Sequence, residues 1–264
     1  MQTLGYLIAV IIGVILGLIG GVGSILTVPV FVYLLAINPV IATAYSLFVV
    51  GVSSLFGTIG NVRKGFVDIK TAIVFAIPAL IAVYTTRKFI LPAIPEDLFS
   101  IGNFLVTKSI GIMVFFGIIM LLASFSMIRK NENKHDDMIT KVQFNYPMII
   151  IEGLVVGLLT GIVGAGGGFL IIPALVLLAK LPMKKAVATS LLIIAIKSLI
   201  GFIGDVENLE IDWSFLLRFT GLSIIGIFIG IWLNKFIDES KLKTYFGWFV
   251  LLMGIYIIFK ELFL

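Results

Sequence analysis

Apolar residues run along the chain in ten stretches, at roughly 4 to 20, 24 to 36, 40 to 60, 71 to 86, 105 to 128, 147 to 163, 168 to 179, 186 to 204, 213 to 233 and 244 to 263, with the polar residues gathered between them. Stretches this apolar predict bilayer-crossing helices rather than strands. The first two in each group of five are short and separated by glycines. As one helix, 4 to 36 would be about 50 Å long at roughly 1.5 Å per residue, against a hydrocarbon core of about 30 Å. A break at the glycines is therefore predicted.

The pattern occurs twice. Shifted by 144 residues, GLIGGVGSILTVP (17 to 29) aligns with GIVGAGGGFLIIP (161 to 173), and the text between 13 and 68 matches its partner without a gap at 19 of 56 positions. Gly13/Gly157, Gly20/Gly164, Gly23/Gly167, Pro29/Pro173, Ser46/Ser190, Gly57/Gly201 and Asp68/Asp212 are among them. Because six of the shared residues are glycine, one proline, two serine and one aspartate, chance likeness of apolar text does not account for them. The predicted organisation is a first membrane repeat at 1–128, a polar linker RKNENKHDDMITKVQFNY at 129–146 and a second membrane repeat at 147–264.

Charge decides how the chain runs through the bilayer. If each glycine-broken pair were a single crossing, the 16 lysines and arginines of the loops would fall eight on each side. If the chain turns back at the glycines, thirteen lie on one side, from Arg63 and Lys64 to Lys241 and Lys243, and only Arg87, Lys88 and Lys260 on the other. The second arrangement obeys the positive-inside rule. It predicts a multi-pass protein of a prokaryotic cell membrane with both termini outside and the linker 129–146 cytoplasmic. An odd number of reversals per half makes the halves oppositely oriented. The fold class expected is thus an all-α polytopic membrane protein of two inverted-topology repeats, each a Gly-broken helical hairpin plus three spans. Ten full crossings and six crossings with two re-entrant dips both satisfy the count. The N-terminal stretch lacks the basic start of a signal peptide and reads as mature protein.

Composition narrows the chemistry. With 60% hydrophobic and 12% charged residues, the chain carries more apolar surface than a soluble core of 264 residues could bury. There is no cysteine, and His135 is the one histidine, so disulfides, thiolate zinc sites and cysteine catalysis are excluded. No metal and no cofactor is expected. The net charge of +5 belongs to the loops of a membrane protein, so no nucleic-acid partner is implied.

The glycine breaks, Gly20, Gly21, Val22, Gly23 and Ser24 in the first half and Gly164, Ala165, Gly166, Gly167 and Gly168 in the second, are the leading candidates for a substrate site. Glycine lets a ligand approach the main chain, and a following half-helix presents unpaired N–H groups that attract an anion. The competing reading is tight turns and small-residue packing. A second stripe places Ser46, Ser53 and Ser190 on helical faces with glycines, where hydroxyls could bind an oxyanion or back-bond to their own helix. Lys197 stands where the first half has Ser53, near mid-bilayer, at a cost of roughly 2.5–3.5 kcal/mol on insertion scales. It binds substrate or pairs with a backbone carbonyl or carboxylate, of which Glu152 is the one well inside an apolar stretch. Asn61 and Asp205, at matching positions, are candidates for gating or proton coupling, with helix-end capping as the alternative. Asp68 and Asp212 read as N-caps. Lys108 and Arg218 lie near segment ends and read as snorkelling anchors.

The doubled G-x-x-G-x-G-G-G-x-x-x-x-P pattern, each copy followed by ATAYSL (42 to 47) or AVATSL (186 to 191), resembles the TauE/SafE (sulfite exporter) family of membrane permeases. The first copy departs from it, with Gly21-Val22-Gly23-Ser24 against Ala165-Gly166-Gly167-Gly168. The resemblance implies transport of small anions, above all sulfur-containing ones such as sulfite, sulfoacetate or related organosulfonates. The expectation is a secondary carrier working by alternating access around a mid-membrane site, with the bilayer and a coupling ion, H+ or Na+, as partners. A passive anion channel is the alternative within transport, and a membrane sensor or scaffold the alternative outside it. An enzyme is not expected: the nearest reactive pair, Glu152 and Lys197, is poorly matched in depth, and aspartyl or zinc chemistry lacks its residues; with no Walker A motif there is no evident ATPase in the chain. The sequence leaves oligomeric state open.

Overall fold

The computed structural model of the chain describes residues 2–101, 104–128, 146–177, 179–236 and 239–263. The linker residues 129–145, with His135, lie outside them. Among the described residues seven helices are long and apolar enough to cross a membrane, joined by the shorter apolar helix Pro147–Val163.

The first half runs α1 (Gln2–Ile19), a 3-10 turn Gly20–Leu26, α2 (Thr27–Pro29), a π turn Val30–Leu34, α3 (Pro39–Arg63) and α4 (Ile69–Thr85). A π turn Thr86–Ile90, α5 (Leu91–Ala93), a hairpin of β1 (Asp97–Ile101) and β2 (Phe104–Thr107), and α6 (Lys108–Ile128) complete it. The second half has α7 (Tyr146–Val163), α8 (Gly168–Leu177), α9 (Met183–Val206), α10 (Trp213–Leu233), a 3-10 turn Asn234–Phe236 and α11 (Glu239–Phe263). Helix starts follow local chemistry. The side chain of Asn38 accepts from Val40 N with Pro39 at the first turn of α3, and Asp68 and Asp212 accept from Thr71 N and Phe215 N, as N-caps do.

The antiparallel hairpin pairs Asp97 with Thr107 and Ile101 with Phe104, so the apolar stretch that begins near 105 starts as strand and becomes helix only at Lys108. The class remains all-α.

At the first glycine break the chain doubles back. A methyl on Gly23 would press on the backbone of Ile15 and Leu16, and one on Gly5 would sit 3.0 Å from the side chain of Leu35. A straight helix would hold Gly5 and Leu35 about 45 Å apart. The turn uses a left-handed Gly20 (φ +66°), and the second break uses Gly164 (φ +73°) and Gly167 (φ +74°), a region that favours glycine. Ala36 and Lys180, 144 residues apart, share the same backbone turn at φ +53° and +50°.

Contacts between the halves recur in the 144-residue register. Gly13 and Gly17 of α1 lie backbone to backbone on Gly226 and Gly230 of α10, while Gly157 and Gly161 of α7 lie on Ala79, Ala82 and Thr86. The α3–α9 and α6–α11 pairs close the bundle. Such close approach is how small residues hold helices together where lipid removes the hydrophobic drive. Ile77, Ile81, Leu122 and Phe228 face outward, as a lipid solvent allows.

Candidate functional site

The two glycine breaks meet in the middle of the bundle. Gly168, the first residue of α8, packs against the carbonyl group and Cα of Gly21, and Gly166 lies between Val50, Ile194 and Ser24, where a methyl would come within 2.6 Å of Val50 Cγ1 and 3.0 Å of the other two side chains. Gly20 abuts Val187 near the start of α9, and Gly164 abuts Thr43 near the start of α3, again 144 residues apart. All ten residues, Gly20, Gly21, Val22, Gly23, Ser24, Gly164, Ala165, Gly166, Gly167 and Gly168, are buried.

The breaks differ in detail. After the second comes the ten-residue helix α8, whose Leu170 and Ile171 N–H groups donate to the Gly167 carbonyl. After the first come only a 3-10 turn, three residues of α-helix and a π turn, so the regular half-helix expected there does not form. Val22 and Ser24, standing where the second copy has Gly166 and Gly168, accompany this change, and the Ser24 hydroxyl donates to Gly21 O at 2.7 Å.

Lys197 is completely buried and reaches the second break. Its Nζ donates to Thr160 Oγ1 at 2.7 Å, and a methyl on Gly167 would sit 3.2 Å from that nitrogen. Thr160 in turn donates to Val156 O. Among the described residues no carboxylate lies within ion-pair range of Lys197, and Glu152 leaves Oε2 without a partner. A charged amine buried there calls for a compensating anion, and among the described residues it meets a neutral hydroxyl.

The serines divide. Ser53 donates to Ser223 on α10, and Ser190 donates back to Val187 O, so both are occupied by packing partners. Ser46 is buried with its hydroxyl unpartnered. Asn61 donates to Gly57 O within its own helix, which is the capping alternative. Asp205 does something the pattern did not indicate: its Oδ2 accepts from Arg87 Nη1 at 3.2 Å.

Arg87 is the site residue that sequence reasoning missed. It read as a loop cation beside Lys88, yet its side chain is 0% exposed. It lies on the π turn after α4, and Nη1 serves both Asp205 and Thr43 Oγ1, while Nε and Nη2 have no partner. Three N–H donors thus stand unmet at about 1–3 kcal/mol each. Since Thr43 also touches Gly164, the second break lies between two buried cations, Arg87 at one end through Thr43 and Lys197 at the other. The resumption of apolar text in Phe89 to Ala93 was the available signal that Arg87 is not in a loop. Lys108, read as an anchor, is 6% exposed and its Nζ lies 3.8 Å from Glu96.

A family model described as sulfite exporter TauE/SafE matches the chain over residues 5–257. The chain belongs to that family. Its relatives include a "Probable membrane transporter protein" of Xylella fastidiosa strain Temecula1, 27% identical over 95% of this chain and 92% of the relative. The "Probable membrane transporter protein YunE" of Bacillus subtilis is 27% identical over 98% of this chain and all of its own length. A similarly named protein of Methanocaldococcus jannaschii is 33% identical over 45% of this chain. No solved structure gives a significant match. TauE/SafE proteins are membrane transporters, not enzymes, and the chain is accordingly a multi-pass membrane protein of transporter type.

Proposed function

We propose that the chain is a secondary carrier of small anions, with sulfite and related organosulfonates as the substrate class, and that the anion binds where the second glycine break meets Lys197. The observation that carries this is a fully buried lysine amine with a neutral hydroxyl partner, set against Gly167, next to the Gly168–Gly21 contact between the two halves. An anion there would supply the missing counter-charge, and the backbone of Gly166 and Gly167 would give it main-chain contact without a side chain in the way. The family description supports sulfur oxyanions as the class.

The inverted halves would rock about this contact, exposing it to each side in turn. The glycine-on-glycine contacts of α1 with α10, and the matching close approach of Gly157 and Gly161 of α7 to Ala79, Ala82 and Thr86, provide the flat surfaces such movement needs. Uphill movement would draw on H+ or Na+. A carrier saturates, and a channel does not at moderate concentration. The test is thermal stabilisation of the purified chain by a panel of anions, followed by liposome flux of each hit. Saturable sulfite flux is the expected result; stabilisation by no sulfur oxyanion overturns the substrate class.

A further inference from the structure

The two ends of the bundle differ, although the repeat would make them alike. Gly201 of α9 packs on Val83 of α4, and its counterpart Gly57 of α3 packs on Ile227 of α10, the same contact moved by 144 residues. Three residues on, the likeness ends. A methyl on Gly204 would sit 3.1 Å from Arg87 Cβ, while one on its counterpart Gly60 would meet nothing within 4 Å among the described residues. Gly204 is buried and Gly60 exposed. Thus α9 stays against the π turn that prolongs α4, whereas α3 and α10 have parted at the matching level.

The closed end is tied by charge. Arg87 Nη1 bonds Asp205 Oδ2 at 3.2 Å, and Lys88 Nζ lies 3.2 Å from Glu207 Oε2, so two adjacent pairs join the first half to the second. At the other end the matching positions hold Ile231 and Asn61, and Trp232 and Arg63, which form neither pair; Asn61 bonds its own helix. The Lys88 pair is exposed and contributes little. The Arg87 pair is buried, and a buried ion pair is a poor stabiliser better suited to switching. Because Arg87 Nε and Nη2 have no partner in the closed state, water reaching them on opening offsets part of the lost bond.

The pair stands between a cavity and the Lys197 amine. A cavity of about 340 Å³ has exposed Glu96 and Asn208 on its wall and ends on buried Arg87 and Asp205. Behind the pair, Thr43 accepts from Arg87 and packs on Gly164 of the second break. Lys197 precedes Asp205 on α9 by two turns, about 12 Å at roughly 1.5 Å per residue. We propose that the Arg87–Asp205 pair is the gate at one end of the transport pathway, shut in this structure. In the alternate state the pair breaks, α4 and α9 part as α10 and α3 do here, and Gly60 packs as Gly204 does now. This gate rests on the carrier reading for what passes through it.

The chain has no cysteine, so Lys88→Cys with Glu207→Cys can be joined across the gate by a short bismaleimide, with the same variant capped by N-ethylmaleimide as reference. In liposomes the cross-link should cut saturable sulfite flux at least tenfold. In detergent, sulfite should still raise the melting temperature of the cross-linked chain, because Lys197 stays reachable from the Gly60 end. A second variant reads opening directly. Thr43→Cys lies behind the pair, and adding Asp205→Asn should speed its reaction with a water-soluble maleimide about fivefold or more. Equal flux in cross-linked and capped protein overturns the gate, and so does loss of sulfite stabilisation on cross-linking. A labelling rate that Asp205→Asn leaves unchanged overturns it as well, and decides the matter where the cross-link does not form. A wild type with neither sulfite flux nor stabilisation overturns the substrate class, and the labelling rate then judges the gate by itself.

Discussion

At the scale of single residues, Lys197 and Arg87 are buried bases whose N–H groups the interior meets only in part. Lys197 was legible because it replaces Ser53 in a repeat that keeps Ser46/Ser190, Ser54/Ser198 and Asp68/Asp212. Its partner Thr160, 37 residues away, was not, since a threonine among apolar residues carries no signal until the helices are packed. Arg87 failed for a similar reason: Asp205 lies 118 residues further on, and only the fold brings the two together. Thr160→Val should release the Lys197 amine from its fixed position, raise the half-saturating anion concentration several-fold in a binding titration, and cost about 1–3 kcal/mol in reversible unfolding because a buried donor loses its acceptor. The caps are simpler. Asp212→Ala removes the acceptor for Phe215 N and should cost about 0.5–2 kcal/mol in reversible unfolding, and Asp68→Ala the same. An equal loss at Asp212→Asn would argue against capping, because asparagine caps nearly as well.

At the scale of elements the glycines sort by what stands against them. Gly13, Gly17, Gly226 and Gly230 touch opposing backbone, so a side chain at any of them forces α1 and α10 apart. Gly60 and Gly221 face open space. Gly226→Val should therefore reduce the yield of folded, monodisperse protein sharply, whereas Gly221→Ala should be neutral or stabilise by up to about 1 kcal/mol. Equal tolerance of both would contradict the packing described for α1 and α10. The place of each break was readable from Gly20 and Gly164, since a left-handed backbone turn selects glycine. The form of the first break was not. Whether Gly21-Val22-Gly23-Ser24 makes a half-helix or a 3-10 turn depends on Ile194, Val187 and Gly168, which come from the other half of the chain. The β1–β2 hairpin was hidden for another reason: Leu105 and Val106 look like any membrane text, and their strand state comes from pairing with Ser100 and Phe99.

At the scale of the whole molecule, a helical membrane protein could be read from composition and the ten stretches alone, and the family from the doubled glycine motif. The orientation is a proposal that rests on thirteen loop cations against three. Arg87 now leaves that count because it is buried, which makes the imbalance larger. A cysteine at Ala36 should react with an impermeant reagent from outside the cell; labelling from the cytoplasm would reverse the orientation or remove the hairpin from it. The proposed anion site draws on both halves, because the break that approaches Lys197 belongs to one and rests on Gly21 of the other. The most direct test is sulfite flux into liposomes carrying the wild type or Lys197→Met at equal, correctly inserted amounts. The account predicts saturable flux in the wild type and a loss of at least tenfold in the variant at sub-saturating sulfite. Equal flux in the two would contradict it.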